Sequence, residues 1–333
     1  MNQLYWDIET LDKDVFYSGI LSASFQLVND SFQTLERFDV DCNFKPGVVP
    51  SPKALLVNNQ SIQSIKGRNR SHFQMVREIY NKMQEWGTFQ SCTYNGISFD
   101  EEFLRSAFYS SLLPIYTTNT KGNKRFDVLN LARATSIYAP GKIKYKINEK
   151  GKPSFTLEDI SKANRIISEG FHEAAADVEA TIGVSKLIKQ KCPELWNSYD
   201  ARVGKLEAKQ FVENEKFFCH APISVLKCLA FVGTHKIFSY PICFDLQYDP
   251  NPLVNALSDY NLFKEELEKG KNKKTNALKI ISNIKCNKSI VLMESEHALK
   301  SDVYKSIGMK QLMERANIIS KNRKKLAERI NEY

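Results

Sequence analysis

The chain has 333 residues, of which 42% are hydrophobic and 26% are charged. That length exceeds what one hydrophobic core usually organises, so more than one domain is expected, and the composition argues against intrinsic disorder. No run of 18 apolar residues occurs, because the best candidate, residues 217–233, is interrupted by His220, Pro222 and Lys227. The sequence therefore predicts no membrane span.

The N-terminal segment and the cysteines bear on the cellular compartment. Residues 1–7 contain no basic region followed by a long apolar stretch, so we expect no signal peptide. The seven cysteines are scattered, without a Cys-x-x-Cys pair, which argues against a disulfide framework or a zinc site. These features fit a reducing compartment and predict a cytoplasmic protein.

The formal net charge of +9 is unevenly distributed along the chain. Residues 201–333 hold 23 Lys and Arg against 15 Asp and Glu, whereas residues 1–200 are nearly neutral. Within the first part, residues 121–152 hold nine basic and two acidic side chains. Basic stretches beside an acidic region suit a polyanionic substrate. The same pattern is typical of the solvated surface of a lysine-rich protein, which charge alone favours.

The first part of the chain begins with three predicted strands, at residues 4–9, 20–27 and 34–40, with turn residues at 29–31. They predict an antiparallel meander. A further short strand is predicted at residues 91–94. Apolar residues at helical spacing predict helices at residues 72–86, 99–109, 126–138, 155–163 and 172–190. Strands followed by strand–helix alternation indicate an α/β domain that ends near residue 200.

The pattern changes after residue 200. Short strands are predicted at residues 211–220, 225–232, 236–246, 278–284 and 289–294. A charged segment at residues 264–274 interrupts them, and residues 303–332 have the pattern of one or two basic helices. The second part is therefore predicted to be a small β-rich domain followed by a basic helical tail.

Two carboxylates lie on the first predicted strand. Asp7 and Glu9 are two residues apart, so both project from one face, while Ile8 points to the other. At ~4 Å and an effective dielectric of ~20, two such charges repel by about 4 kcal/mol. A divalent cation between them removes the repulsion, and oxygen ligands favour Mg²⁺ or Mn²⁺. Alone, an Asp-x-Glu at a strand end more often has no catalytic role.

Three further polar residues follow at strand–helix junctions and on a helix. Asp100 opens a predicted helix, where the helix dipole alone also favours an acidic residue. His172 and Asp177 lie on the last helix of the first part, and a His with a pKa near neutrality can take a proton from water. Each residue alone more often has a structural role. The ordered set, with spacings of about 90 and about 70 residues, is the specific signal.

This ordered set resembles the DEDD exonuclease superfamily, in its histidine-containing branch with an RNase H-like fold. Further similarity lies in the segments at residues 94–102, 105, 108–109, 125–129, 132–134, 153–158, 162–164, 172–181 and 283–288. Over about residues 1–195 these segments resemble the bacterial exodeoxyribonuclease I family, and the likeness weakens over residues 200–300. The resemblance implies an α/β RNase H-like domain with a mixed sheet flanked by helices at residues 1–198. An SH3-like β domain at residues 199–300 and a basic helical tail at residues 301–333 would follow.

The resemblance also implies a reaction and a set of site residues. The reaction is removal of 5′-mononucleotides from the 3′ end of single-stranded DNA by two-metal hydrolysis, with two Mg²⁺ ions that Mn²⁺ can replace. The implied metal ligands are Asp7, Glu9, Asp100 and Asp177. His172 would take the proton of the attacking water. The implied contacts to DNA are made by Glu9, Thr10, Leu11, Arg105, Tyr116 and Arg133.

The sequence departs from the family in two respects. The family continues into a third, helical domain, most of which this chain lacks, so weak processivity is expected. Thr156 stands where the family commonly has Arg, which would remove one substrate contact. Family members bind the acidic tail of the bacterial single-stranded DNA-binding protein, so that protein is an expected partner beside single-stranded DNA.

Two alternative functions stay open at this point. The same catalytic set serves 3′ exoribonucleases, and nothing in the sequence senses a 2′-hydroxyl. The other alternative is a degenerate nuclease kept as a nucleic-acid-binding module, although all five catalytic positions are intact.

Overall fold

The structure is a computed structural model that describes residues 1–166, 173–222, 225–269, 271–272, 274–275 and 277–333. The chain forms two compact units. The first comprises residues 1–132 and 141–193, and the second comprises residues 133–140 and 194–333. In the described part of the chain, none of the helices combines the length and the apolar character that a membrane span requires.

The first unit contains a mixed five-stranded sheet in the order β3-β2-β1-β4-β5. Its strands are β1 (Gln3–Thr10), β2 (Ile20–Val28), β3 (Thr34–Asp41), β4 (Gln90–Thr93) and β5 (Lys124–Asp127). Strands β1, β2 and β3 form an antiparallel meander, as the sequence predicts, and β4 and β5 run parallel to β1. β1 is therefore the central strand, with partners on both sides.

Helices flank this sheet. They are α1 (Pro52–Val57), α2 (Ile62–Lys66), α3 (His72–Glu85), α4 (Asp100–Ser110), α5 (Val128–Tyr138), α6 (Leu157–Ala163) and α7 (Ala174–Lys191). The predicted helices at residues 72–86, 99–109 and 155–163 are confirmed to within two residues. α3 shows why its sequence is helical: its buried residues recur at three- and four-residue spacing, and Ser71 and Gln74 form a capping box at its start.

The core of the first unit lies on the meander and beneath α3 and α4. Trp6 of β1 stacks on Phe25 of β2, with ring centroids 5.9 Å apart. Met75 and Met83 of α3 and Phe108 of α4 belong to the same buried cluster. β1 is thereby fixed on both neighbouring strands and on one face, which leaves its other face for polar side chains.

The second unit contains an antiparallel sheet in the order β10-β6-β7-β8-β9. Its strands are β6 (Phe218–His220), β7 (Lys227–Thr234), β8 (Pro241–Asp245), β9 (Ile281–Asn283) and β10 (Leu292–Met293). Its helices are α8 (Pro193–Arg202), α9 (Lys205–Asn214), α10 (Asn251–Asn255), α11 (Tyr260–Glu268), α12 (Asp302–Ile307) and α13 (Met309–Glu332). The one or two helices predicted at residues 303–332 are α12 and α13, and α13 is the basic one.

The long helix α13 packs directly on β7. A Cβ atom on Gly233 would lie 2.5 Å from the Cβ of Ala327, so only glycine permits this close approach of strand and helix. Elsewhere in the same unit, the buried Tyr304 of α12 donates a hydrogen bond of 2.6 Å to Asp245 at the end of β8. These contacts join α12 and α13 to the sheet.

One prediction of secondary structure is wrong, and several elements were not predicted. The helix predicted at residues 126–138 is confirmed as α5 to within two residues, and residues 126–127 end strand β5, which was not predicted because so short a strand has no clear periodicity. The strand predicted at residues 211–220 is wrong over its first half, because residues 211–214 end helix α9. The chain then turns before the aromatic pair at 217–218, and β6 begins at Phe218. Helices α8, α10 and α11 were not predicted, and α11 covers half of the charged segment at 264–274.

All seven cysteines are buried and make no disulfide. Three lie in the first unit, Cys42, Cys92 and Cys192, and four lie in the second, Cys219, Cys228, Cys243 and Cys286. Burial of reduced thiols is typical of cysteines that pack as small apolar side chains.

Candidate active site

The polar face of β1 carries two carboxylates at its C-terminal end. Asp7 is opposite Ser24 of β2 and Glu9 is opposite Ser22, so a row of small hydroxyl side chains lies beside them. Ile8 points to the opposite face and is 4% exposed in the core. The period-2 placement inferred from the sequence is thus what the strand adopts.

Helix α7 supplies a third carboxylate. It packs against β1 and β2, and Asp177 lies in its first turn. Oxygen atoms of Asp7, Glu9 and Asp177 all lie within 4.8 Å of one another, and the three side chains are partly buried. The structure therefore brings together three of the four acidic residues that the sequence proposed as metal ligands.

The fourth acidic residue, Asp100, is the first residue of α4 and is 5% exposed. Backbone N–H groups of Asp100 itself and of Ile8 donate hydrogen bonds to its carboxylate. The Ile8 bond ties the start of α4 to β1 and to the carboxylate cluster. Asp100 also lies close enough to raise the pKa values of Asp7 and Glu9 by its charge.

A strained turn determines where α4 begins. Asn95 has φ of +67°, and its backbone N–H donates a 3.0 Å hydrogen bond to Asp127 at the end of β5. A Cβ atom on Gly96 would overlap the side chain of Thr93 in β4, so the chain needs glycine there. The turn from β4 into α4 is therefore specified by residues 95 and 96.

The four carboxylates destabilise one another's charged forms. Burial raises the pKa of Asp7 well above its usual value, and the charges of Asp100, Glu9 and Asp177 raise it further. Burial, then Asp177 and Asp100, raise the pKa of Glu9 to about 8. Burial also raises the pKa of Asp100 to about 7, although its backbone hydrogen bonds oppose the shift. Such a cluster is electrostatically incomplete without a cation.

The donor set fits a divalent metal ion. Carboxylate oxygens are the ligands that hard divalent cations prefer, and their convergence offsets the repulsion that raises these pKa values. The group of Asp7, Glu9 and Asp177 is therefore a metal-binding candidate in the described part of the chain.

The sequence proposed three further residues near this cluster. His172 lies outside the described residues. Thr10 is 7% exposed, and its hydroxyl donates a 2.8 Å hydrogen bond to the carbonyl of Asp12. Leu11 is 1% exposed and packs with Leu21 and Ile65. Contacts of Thr10 and Leu11 with a substrate stay predictions.

Of the proposed DNA-contacting residues, Arg105 and Tyr116 lie together. The Arg105 guanidinium stands 5.4 Å from the centroid of the Tyr116 ring, and Tyr116 is 49% exposed. Arg105 also forms ion pairs of 3.0 Å with Glu102 and 3.5 Å with Glu101. Arg133 is half-buried and belongs to the second unit.

A groove of about 580 Å³ adjoins Glu9, and most of its lining was not predicted from the sequence. It is bordered by Ser22 and Ser24 of β2, Asp39 and Asp41 of β3, Asn58, Gln60, Arg68, Arg70, Glu173 and residues 174–175 of α7. Asn58 donates a 3.2 Å hydrogen bond to the carbonyl of Thr10, so it fixes the backbone beside Glu9. The alternation of polar residues along β2 and β3 was the available signal, because pairing with β1 places them on the carboxylate face.

Thr156 has a local role. It is the N-cap of α6, and its hydroxyl accepts a 3.2 Å hydrogen bond from the backbone N–H of Asp159. Its short side chain thus serves the helix end, which explains how the position is used here without an arginine.

The matches among curated proteins and among solved structures agree with one another. No protein-family model matches the chain. Among curated proteins, it is 32% identical over 206 residues to exodeoxyribonuclease I of Haemophilus influenzae, over 61% of this chain and 42% of the relative. It is 31% identical over 272 residues to exodeoxyribonuclease I of Buchnera aphidicola, over 76% of this chain and 64% of the relative. The chain is similar to exodeoxyribonuclease I. It spans less than two thirds of the length of these relatives.

Solved structures of exonuclease I share the fold. Escherichia coli exonuclease I in complex with a dA16 oligonucleotide superposes with a TM-score of 0.82 at 22% identity, over 99% of this chain and 73% of that one. An exonuclease I from Methylocaldum szegediense gives 0.82 at 23% identity, over 99% and 73%. An ExoI/SSB-Ct complex gives 0.79 at 23% identity, again over 99% and 73%. The α/β fold inferred from the sequence is confirmed by this agreement.

Proposed function

We propose that this exodeoxyribonuclease I-like chain is a 3′→5′ exonuclease that degrades single-stranded DNA to 5′-mononucleotides. The observation that carries the proposal is the convergence of Asp7, Glu9 and Asp177, with Asp100 beside them, on the polar face of β1. The similarity to exodeoxyribonuclease I supports the substrate and the direction. The carboxylates support hydrolysis assisted by metal ions.

The metal ions of this proposal are two Mg²⁺, which Mn²⁺ could replace. Asp7 would bridge them, Glu9 and Asp177 would complete one site, and Asp100 would hold the other. When bound, the ions would lower the pKa of the attacking water and stabilise the leaving 3′-oxygen. Their charge would also bring Glu9 and Asp100 to their ionised forms at neutral pH.

Protein side chains would do the remaining work. From the sequence resemblance, His172 would take the proton of the attacking water as general base. The groove beside Glu9 would receive the 3′-terminal nucleotide, with Thr10 and Leu11 against it. Arg105, Tyr116 and Arg133 would contact the strand further on, Tyr116 by stacking on a base.

The proposal extends to organisation, partners and location. We propose three parts of the chain: an exonuclease domain at residues 1–198, an SH3-like barrel at residues 199–300 and a basic helical tail at residues 301–333. The basic second part would follow the phosphates of the strand. A solved ExoI/SSB-Ct complex supports the single-stranded DNA-binding protein as a partner. A cytoplasmic location is consistent with these partners.

The decisive experiment compares end-labelled single-stranded DNA, single-stranded RNA and duplex DNA, each with Mg²⁺ and with EDTA. We expect mononucleotides released from the 3′ end of single-stranded DNA only when Mg²⁺ is present. Faster digestion of RNA would make the chain an exoribonuclease. Binding without cleavage of any substrate would make it a nucleic-acid-binding module.

A further inference from the structure

A second group of metal-ligating side chains lies in the second unit. Glu194 of α8 and Glu296 and His297 of the short 3₁₀ helix at Ser295–Lys300 each offer one donor atom, and the three atoms lie within 4.8 Å of one another. About 100 residues of sequence separate Glu194 from the other two. The group shares no residue with the carboxylate cluster of the candidate active site.

His297 is the residue that distinguishes this group from an ordinary acidic surface. The residue is 6% exposed, and its Nε2 atom is buried without a hydrogen-bond partner. Oε1 of Glu194 lies 3.1 Å from this atom, but off the direction in which an N–H bond would point. A buried ring nitrogen without a hydrogen bond costs free energy of about 1–3 kcal/mol unless another partner satisfies it.

The 3.1 Å separation matches two ligands of one ion. Zinc binds imidazole nitrogen and carboxylate oxygen at about 2.0–2.2 Å, so adjacent ligands at 90–109° lie roughly 3.0–3.5 Å apart. In such a site the metal ion lies on the lone-pair axis of Nε2. The carboxylate oxygen of Glu194 must therefore lie beside that axis, as it does here. The side chains of Glu194 and Glu296 are exposed, so Glu296 can rotate to close the third bond.

The surroundings of His297 keep its ring in place. The Tyr138 ring packs edge-on against it, with centroids 5.5 Å apart and an interplanar angle of 77°. The backbone N–H of His297 donates a 3.2 Å hydrogen bond to the carbonyl of Glu294, and Glu294 pairs with Arg202 of α8. A rigid nitrogen ligand with two adjustable carboxylates is a built site, open to solvent on one side.

We propose that Glu194, Glu296 and His297 bind a first-row transition-metal ion such as Zn²⁺, with water completing its coordination. The imidazole ligand favours Zn²⁺ over Mg²⁺, whereas the all-carboxylate cluster has the opposite preference. The ion joins the start of α8 to the 3₁₀ helix and stabilises the second unit by mass action. The absence of a cysteine motif does not bear on this site, because its ligands are His and Glu.

The test is a calorimetric titration of the full chain with ZnCl₂ in saturating MgCl₂, so that the carboxylate cluster is already occupied. We expect one Zn²⁺ site in the wild type and an affinity at least 10-fold lower in Glu296→Gln. Glu296→Gln is the decisive variant, because Glu296 is exposed and its replacement leaves the core intact. His297→Ala should lose the site, and His235→Ala is the matched control that should retain it.

Three outcomes would overturn the proposal. They are no Zn²⁺ binding by the folded wild type, equal Zn²⁺ affinity in the wild type and Glu296→Gln, and a site that Glu9→Gln removes while Glu296→Gln does not. The last outcome would show that zinc had displaced magnesium from the carboxylate cluster. None of these results depends on nuclease activity, so this test of the zinc site is independent of the proposed function.

Discussion

Glu9 belongs to the metal-binding cluster and also lines the groove, so its carboxylate contributes to both. Replacing it with Gln removes one ligand and one buried negative charge while keeping the side-chain shape. We expect Glu9→Gln to lower cleavage by more than about 100-fold, because replacing a residue that merely supports a metal ligand already costs about 10–100-fold in metal affinity or activity. Initial rates on labelled single-stranded DNA at saturating Mg²⁺ would measure this. Near-normal activity would show that Glu9 is not a metal ligand.

The same substitution should stabilise the protein when no metal is bound. The charged cluster repels itself, and each unit of pKa shift corresponds to about 1.4 kcal/mol. After allowance for relaxation, we expect Glu9→Gln to raise the free energy of unfolding by ~1–3 kcal/mol in EDTA at pH 8. Denaturant unfolding would measure it, with Glu265→Gln at an exposed position of α11 as the matched control. A destabilised Glu9→Gln variant would contradict the repulsion.

The raised pKa values fix the sign of the pH dependence. Folded Glu9 and Asp100 titrate near pH 8 and 7, whereas the unfolded groups titrate near 4. Between these values the folded state binds more protons, so stability in EDTA should fall as pH rises from about 5 to 8. Added Mg²⁺ should therefore raise Tm more at pH 8 than at pH 5.5. A thermal-unfolding series across this range, repeated with Glu9→Gln, would show whether the slope belongs to the cluster.

His172 contributes a prediction that rests on the sequence resemblance. His172→Ala should lower kcat by about 10²–10⁴-fold, the usual share of a general base, with little change in KM. A large rise in KM at unchanged kcat would make His172 a binding residue. A pH–rate profile that loses its acidic limb in the variant would support the assigned role.

At the scale of elements, the turn from β4 into α4 controls where Asp100 stands. A Cβ on Gly96 would overlap Thr93, so Gly96→Ala must shift the start of the helix. We expect a loss of ~1–3 kcal/mol in stability and at least 10-fold in kcat. Gly67→Ala, where an added Cβ meets only ordinary contacts at 3.5 Å or more, is the control. Equal kcat for both variants would show that α4 adjusts without moving Asp100.

Elements with a clear period were predictable from the sequence, and short buried ones were not. The meander and α3 follow from alternation, turn residues and helical spacing. β5 was not predicted because it has only four residues, three of them charged, and charged residues that are buried give no alternation of apolar and polar positions. The carboxylates could be predicted because strand geometry fixes which face they share. The groove could not, since its lining depends on which strands pair with β1.

At the scale of the whole molecule, positive charge is concentrated in residues 201–333. If this part follows the DNA backbone, log K for single-stranded DNA should fall with log salt by ~0.7 per phosphate neutralised. We expect Lys324→Gln with Lys325→Gln on α13 to make that slope less steep. Lys186→Gln with Lys191→Gln on α7 changes net charge equally and is the control. Fluorescence-anisotropy titrations in EDTA at several KCl concentrations would compare them, and identical slopes would argue against a role for α13.

Because every cysteine is buried, the rate at which its thiol is labelled reports how fast the surrounding unit opens. A thiol reagent cannot reach them in the folded chain, so labelling proceeds only as fast as the surrounding structure opens. Mass spectrometry after timed labelling would therefore assign an opening rate to Cys42 and Cys92 separately from Cys243 and Cys286. A ligand that closes the carboxylate cluster should slow the first pair more, and a ligand held by His297 should slow the second. Labelling rates of the native cysteines would thus distinguish metal binding at the carboxylate cluster from metal binding at His297, without an added probe.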